Sequence, residues 1–285
     1  MLIDTHAHLD YPDFASDFDD VLSRAREKGV ERILTIGTGI ESSRQAIALA
    51  ERYDSIYAVV GVHPTNVEEE GLDFLHELRK LAHHPKVVAI GEAGLDYHRL
   101  PSSLQREGTS AMDALLAGTA EGTEDFIMDG AYKAAQAEAF QMQLDLAVEV
   151  GLNMVIHQRD SWEDTLNILR PYTGKLKTVF HCFGGTSDQA AELIDMGHLV
   201  SFTGIITFKN AAIVRETATS LPEGSFMVET DCPYLAPAPH RGKRCEPWHT
   251  RLVAEKLAEI RGTTVEAIAK HTSATAEGFF RFGTF

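Results

Sequence analysis

Two histidines one residue apart, in Asp4-Thr5-His6-Ala7-His8, follow directly on the apolar start Met1-Leu2-Ile3. Side chains at i and i+2 share one face of a β-strand, whereas on a helix they would diverge by about 200°. The spacing therefore asks for a strand whose end presents both imidazoles together, and neutral imidazole is the commonest metal ligand of this type. A lone His-x-His fits equally well two strand-end residues satisfied by backbone groups, so its meaning rests on what else arrives beside it.

Further donors recur in the same setting. His63 lies in Val62-His63-Pro64, Glu92 and Asp96 in Gly91-Glu92-Ala93-Gly94-Leu95-Asp96, His157 after Val155-Ile156, His181 after Val179-Phe180, and Asp231 in Val228-Glu229-Thr230-Asp231-Cys232-Pro233. Each lies beside a short apolar run. The imidazoles of His6, His8, His157 and His181 with the carboxylates of Glu92 and Asp231 suffice for one or two divalent ions, Glu92 reaching both through separate oxygens. Two ions about 3.5–4 Å apart polarise a phosphoryl or carbonyl oxygen and generate hydroxide near neutral pH. Asp231 could hold one of them and take a proton from its water, which makes Asp231 and Glu92 the candidate catalytic carboxylates. Carboxylates at strand ends also cap helices, the plainer alternative for either. Mixed imidazole and carboxylate donors suit Zn, Mn, Fe or Ni, while Mg prefers oxygen and would bind reluctantly.

For such donors to meet, the apolar runs must be strands with a common end. Beginning with the first, these are Ile33–Ile36, Ile56–Val60, Val87–Ile90, Met154–Ile156, Thr178–Phe180, Leu199–Phe202 and Phe226–Val228, with helical patterns between them, for instance near Glu41 to Tyr53 and Leu72 to Leu81. Runs this apolar are buried on both faces, and alternation with helices implies parallel pairing. Eight units predict a single (β/α)8 TIM-like barrel over residues 1–285, in which all strand C-termini share one rim. An open doubly wound sheet is the rival, but no Gly-x-Gly-x-x-Gly follows the first strand. The Ala-, Gly-, Ser- and Thr-rich stretch from Arg99 to Ala134 reads as an insertion, residues 100–134, in the loop after the fourth strand, with a short helix at Ser110 to Leu116. It is either a lid over the rim or a solvated excursion. At the other end, helices are expected at Arg251 to Arg261 and Thr264 to Lys270, and Ser273 to Phe282 should cap the barrel with Phe279, Phe280 and Phe282.

Composition narrows the function. At 285 residues and 44% hydrophobic, the chain can bury the core of one barrel or of two smaller domains. It has no run of about 18 apolar residues and no charged-then-hydrophobic N-terminus, which predicts a soluble, cytoplasmic protein without membrane association. Cys182, Cys232 and Cys245 lack a Cys-x-x-Cys spacing and read as small buried hydrophobes in a reducing compartment. A formal net charge of −16 argues against broad adhesion to nucleic acid or anionic lipid, so an anionic substrate must be met locally. Bound ions or the short basic loop His240-Arg241-Gly242-Lys243-Arg244 could meet it.

As a set, these stretches resemble the TatD family of metal-dependent hydrolases, within the amidohydrolase-like barrels. The matching segments are Ile3–Leu9, Gly61–Pro64, Gly91–Tyr97, Ile156–Asp160, His181–Gly185 and Glu229–Pro237, followed by Pro239–Arg244, in family order across nearly the whole chain. The resemblance implies metal ligands at His6, His8, Glu92, His157, His181 and Asp231, and a metal-dependent deoxyribonuclease, often 3′ to 5′ exonucleolytic, acting on single-stranded DNA ends. It suggests that His63 contacts substrate phosphate rather than metal. Asp96 would accept the spare N–H of a liganding imidazole, and Arg241 and Lys243 would bind phosphates. No obligate protein partner is implied. Two departures stand out: Gly184-Gly185 replaces the small hydroxyl residue expected after His181-Cys182-Phe183, and the excursion after the fourth strand is longer than expected. The main alternative is hydrolysis of a C–N or ester bond, in a cyclic amide or a D-aminoacyl-tRNA, since the same hydroxide attacks carbonyls. Related barrels for cyclic amides bridge their metals with a modified lysine, where this chain offers Glu92. A metal-binding scaffold without turnover is the third reading.

Overall fold

The computed structural model describes residues 1–98, 100–102 and 121–283. Eight strands, β1 (Leu2–Ala7), β2 (Val30–Ile36), β3 (Ile56–Val60), β4 (Val87–Asp96), β5 (Asn153–Arg159), β6 (Thr178–Phe180), β7 (Leu199–Phe202) and β8 (Phe226–Val228), pair in chain order, every pair parallel. Beyond the end of β8 the ring closes on β1. Ala7 bridges Cys232, the His8 N–H donates to the Cys232 carbonyl at 2.8 Å, and the Asp231 N–H donates to the His6 carbonyl at 2.8 Å. The result is the expected (β/α)8 barrel, nearly closed.

Among the described residues the helices are α1 (Phe18–Glu27), α2 (Ile40–Arg52), α3 (Val67–Glu70), α4 (Leu75–Ala82), α5 (Glu121–Val150), α6 (Trp162–Leu169), α7 (Ser187–Asp195), α8 (Ala212–Ser220), α9 (Thr250–Arg261) and α10 (Val265–Phe280). Strand residues alternate between two apolar layers. One, between sheet and helices, takes Leu2, Ile33, Ala58, Ile90, Ile156 and Phe226; the other fills the barrel interior with Ile3, Leu34, Tyr57, Val155, Val179 and Met227. Phe279 and Phe280 of α10 join the interior layer, and partly buried Phe282 packs on it, so this helix plugs the barrel. The two separate pieces expected after Thr264 are in fact one helix. Thr264 caps it by accepting from the Ala267 N–H at 3.1 Å, and the Ala-rich sequence that follows has no breaker strong enough to stop it.

Two boundaries differ from expectation, and both matter for the site. Strands β4 and β5 run on to Asp96 and Arg159, so Glu92 and His157 lie within the strands rather than beyond them. The extension depends on Gly94, whose φ of +147° lies in the region that disfavours other residues and whose missing Cβ would collide with the His157 carbonyl. Second, residues 121–134, expected to belong to the insertion, form the first part of the 30-residue helix α5. Gly130, which reads as loop punctuation, is tolerated there at a cost of about 1 kcal/mol against alanine, within a segment of strong helix formers. The short helix expected at Ser110 to Leu116 lies outside the described residues. Among the described residues no helix is long and apolar enough to cross a membrane.

Candidate metal centre

The C-terminal rim gathers the donors. Alternation along β1 sends His6 and His8 to the same side, and the backbone closure at Asp231 brings the loop after β8 against them. His6 Nε2 lies 3.3 Å from Glu92 Oε2 and 3.7 Å from Asp231 Oδ1; His8 Nε2 lies 3.9 and 3.4 Å from the same two oxygens. Four ligands about 2.0–2.2 Å from one ion stand roughly 3.3–3.5 Å apart in a tetrahedron. The ligand atoms of His6, His8 and Asp231 all lie within 4.8 Å of one another, with Glu92 Oε2 beside both imidazoles, a spacing that suits one ion. A second group shares Glu92 through its other oxygen: Oε1 is 2.7 Å from His157 Nδ1 and 2.6 Å from His181 Nε2, and these two nitrogens are 3.2 Å apart.

Neighbouring groups decide which ring nitrogen carries the proton. His8 Nδ1 faces the Ile36 carbonyl at 3.2 Å, and His157 Nε2 faces Asp96 Oδ2 at 3.0 Å. Each must donate there, which turns the lone pair of the other nitrogen toward the centre. His181 Nδ1 lies 3.7 Å from Glu229 Oε1, beyond hydrogen-bond distance, and is buried without a hydrogen-bond partner. Both ring nitrogens of His6 are buried without a hydrogen-bond partner, the costly condition that an ion at Nε2 would relieve for one of them.

His63 is built the opposite way. Its Nε2 lies 3.2 Å from His157 Nδ1 and 3.5 Å from Glu92 Oε1, close enough to count geometrically as a donor to a metal. However, its Nδ1 accepts from the Thr65 N–H, which can only donate, at 3.2 Å, and lies 2.7 Å from the Thr65 hydroxyl, which can donate to the same lone pair. A neutral His63 thus carries its proton on Nε2 and presents a hydrogen-bond donor, not a lone pair, to the centre. Burial, against the pull of Glu92 and with His157 and His181 nearby, pushes its pKa down to about 3 and keeps it neutral.

Charge is arranged around the shared carboxylate. Burial would raise the pKa of Glu92, but the imidazoles of His181, His63 and His6 and the bond to His157 hold it well below the usual carboxylate range. Asp231 follows the same logic: burial opposes ionisation, and the bond to His8 with the nearby His6 and His181 prevails. The donor set thus combines ionised oxygens with oriented imidazole lone pairs, and it fits one or two divalent ions.

Several residues around the centre give no isolated signal in sequence. Glu229, almost fully buried, accepts from the Cys182 N–H at 2.7 Å as well as facing His181. Gln136 and Gln143, two turns apart on one face of α5, are buried amides that clamp loop backbone. Gln136 accepts from the Asp96 N–H at 2.9 Å and donates to its carbonyl at 3.2 Å, and Gln143 does the same to Val62 at 2.9 and 3.0 Å. They fix the residues that carry Asp96 and precede His63. A cavity of about 920 Å³ opens over His157, His181 and Asp231, and Lys133 and Arg159 line it. Arg241 and Lys243 do not: the Arg241 guanidinium stacks 3.6 Å from the centre of the Phe208 ring, and Lys243 is solvent-exposed.

Comparison with known proteins agrees with this geometry. Residues 3–281 match the family model described as TatD related DNase. The chain is 37% identical over 282 residues, 99% of both chains, to the metal-dependent hydrolase YabD of Bacillus subtilis, and 34% identical over 98% of its length to the 3′-5′ ssDNA/RNA exonuclease TatD of Pantoea ananatis, of which it covers 99%. Among solved structures, YJJV of Escherichia coli K12, a TatD homologue, superposes with a TM-score of 0.84 at 27% identity, covering 98% of each chain. With a matching family model over almost its whole length, relatives above 30% identity and donor clusters able to hold one or two ions, this chain belongs to the TatD family of metal-dependent hydrolases.

Proposed function

We propose that this hydrolase is a nuclease that shortens single-stranded DNA from its 3′ end. The observation that carries the reading is the pairing of two donor groups through Glu92 with a wide cavity that gathers Lys133 and Arg159 over them, in a chain of net charge −16. Bound divalent ions together with Lys133 and Arg159 would draw a polyanion to this one place on an acidic protein, against the carboxylates of Asp160, Glu163 and Asp164 beside them. Divalent ions bound by these donors would polarise the phosphoryl oxygens and lower the pKa of a water.

The chain's own residues supply the rest. Asp231, ionised and facing the cavity at the edge of the first donor group, accepts at its carboxylate the proton lost by the attacking water. His63 donates from Nε2–H to a non-bridging oxygen of the scissile phosphate, a role its tautomer permits and a metal bond does not. Asp96 holds His157 in the orientation described above, and Glu229 sets a negative charge beside His181. The relative from Pantoea ananatis named as an ssDNA/RNA exonuclease lends this substrate class further support.

The test is a substrate panel. Chelator-dialysed protein, reloaded with Zn, Mn or Mg, is given 5′-labelled single strands with open or blocked 3′ ends, a cyclic amide and a D-aminoacyl-tRNA. Ladders shortening only from open 3′ ends are expected; turnover of the amide or the acyl-tRNA with intact strands would overturn the reading.

A further inference from the structure

We propose that Arg159 and Lys133 form a separate anion subsite that takes the phosphate next to the scissile one, so that the protein holds a strand by two successive phosphates. The proposal rests on the nuclease reading for the identity of the anion, and on the following geometry for its place.

Arg159 is the last residue of β5, two positions after His157, so both side chains leave the strand on the same face. Two residues of parallel strand span about 6.6 Å, comparable with the step between neighbouring phosphates of an extended single strand. The backbone at Arg159 is fixed, since it pairs with Asp96 in the sheet and its carbonyl accepts from the Tyr97 N–H at 2.9 Å. Lys133 approaches the same part of the cavity from α5. Its Nζ lies 4.5 Å from the centre of the Tyr97 ring, and it precedes by one helical turn the Gln136 that clamps Asp96. Both cations line the cavity that reaches His157.

Two of the three acids of that wall are already engaged, and the third, Glu163, is exposed at the start of α6. Asp160 pairs with His98 Nδ1 at 2.9 Å, and Asp164 accepts from the Tyr97 hydroxyl at 2.9 Å. Among the described residues neither Arg159 nor Lys133 pairs with a carboxylate. Asp96 feels the charge of Arg159, but it is committed to His157 and the His98 N–H. The wall therefore offers two cations, one of them a guanidinium suited to bidentate phosphate contact. Arg241 and Lys243, outside the cavity lining, supply no such pair.

The experiment measures equilibrium binding of a fluorescein-labelled thymidine pentanucleotide to the full chain in EDTA, as a function of salt, alongside strand shortening by metal-loaded protein. Each of R159Q and K133Q is expected to weaken binding about tenfold, as for loss of one hydrogen bond to a charged group. Each should also flatten the salt slope by about 0.7, one phosphate contact on a single strand. Exposed Lys28 provides the control, since K28Q makes the same change in net charge elsewhere. Unchanged slopes in R159Q and K133Q, an equal loss in K28Q, or no binding by wild type would each overturn the subsite. Strand shortening with unchanged slopes overturns the subsite and leaves the nuclease reading standing; weakened binding in R159Q and K133Q with no shortening by wild type does the reverse.

Discussion

Replacing Asp96 with asparagine isolates what a carboxylate behind a metal-facing histidine contributes. Asp96 Oδ2 stands 3.0 Å from His157 Nε2, with side-chain exposures of 5% and 15%, while Oδ1 accepts from the His98 N–H at 2.9 Å. Asparagine keeps one acceptor oxygen and loses the charge, so either the His157 bond or the His98 bond must fail, and in one of the two amide orientations an N–H faces an imidazole that needs an acceptor. A hydrogen bond to a charged group is worth about 1.5–3 kcal/mol, which corresponds to roughly 10–150-fold in an equilibrium constant. Since His157 serves the group containing Glu92 Oε1 and His181, the weakening should fall on one ion and spare the one held by His6, His8 and Asp231. Competition with a chromophoric chelator, fitted to two sites, reads this directly, with kcat/KM measured on the same samples. E192Q is the control, because Glu192 makes its ion pair with exposed Arg170 outside the cavity lining. If D96N binds both ions within twofold of wild type while its circular dichroism is unchanged, the orienting role assigned to Asp96 is wrong.

Asp231→Asn should fold as wild type but lose turnover by about 10²–10⁴-fold, the usual contribution of a positioned proton acceptor; full activity on single strands would remove Asp231 from the chemistry. Gly94→Ala forces a side chain onto the His157 carbonyl at a φ of +147° and should cost at least about 2 kcal/mol in urea unfolding, with an unshifted midpoint contradicting the account of how β4 reaches β5. Acid should weaken the fold through buried His198 and His249, whose pKa values burial pushes down to about 4, with neighbouring His240 adding to the effect at His249. The unfolded chain takes up those protons near pH 6.5 and the folded one only near 4, so this stability is complete above pH 6.5 and drains away toward pH 4, at up to roughly 1.4 kcal/mol per pH unit for each group. His198→Gln should therefore flatten the loss of urea midpoint between pH 7 and 5, and parallel curves for variant and wild type would refute it.

Much of this was legible in sequence because barrel geometry converts a repeated local pattern into a single place. An apolar run followed by a donor is weak at His157 or His181 singly, but eight parallel strands with a common rim leave those donors nowhere to go but together. What was not legible depends on side chains meeting from different elements. The strand ends at Glu92 and Asp96 are hidden by the glycines that let β4 run on. Gln136 and Gln143 look like ordinary helix polar residues until the backbone they clamp is known. Arg159 carries no sign of its position beside the donors except its two-residue offset from His157, and in sequence the denser basic loop at Arg241 and Lys243 overshadows it. The Thr65 N–H that favours the Nε2–H tautomer of His63 is brought to it only by the fold.

The first donor group has a further meaning for folding. His6 and His8 belong to the opening strand, and Asp231 to the segment that closes the ring after the last one, where regular pairing has given way to an isolated bridge. An ion gripped by all three would act as a clasp between the two ends of the barrel, fastening a loop that contains most of the chain. Loop-closure entropy rises with the logarithm of length, so few positions in this molecule would gain more from a crosslink. Loading that position would govern not only turnover but how readily the barrel springs open along its seam.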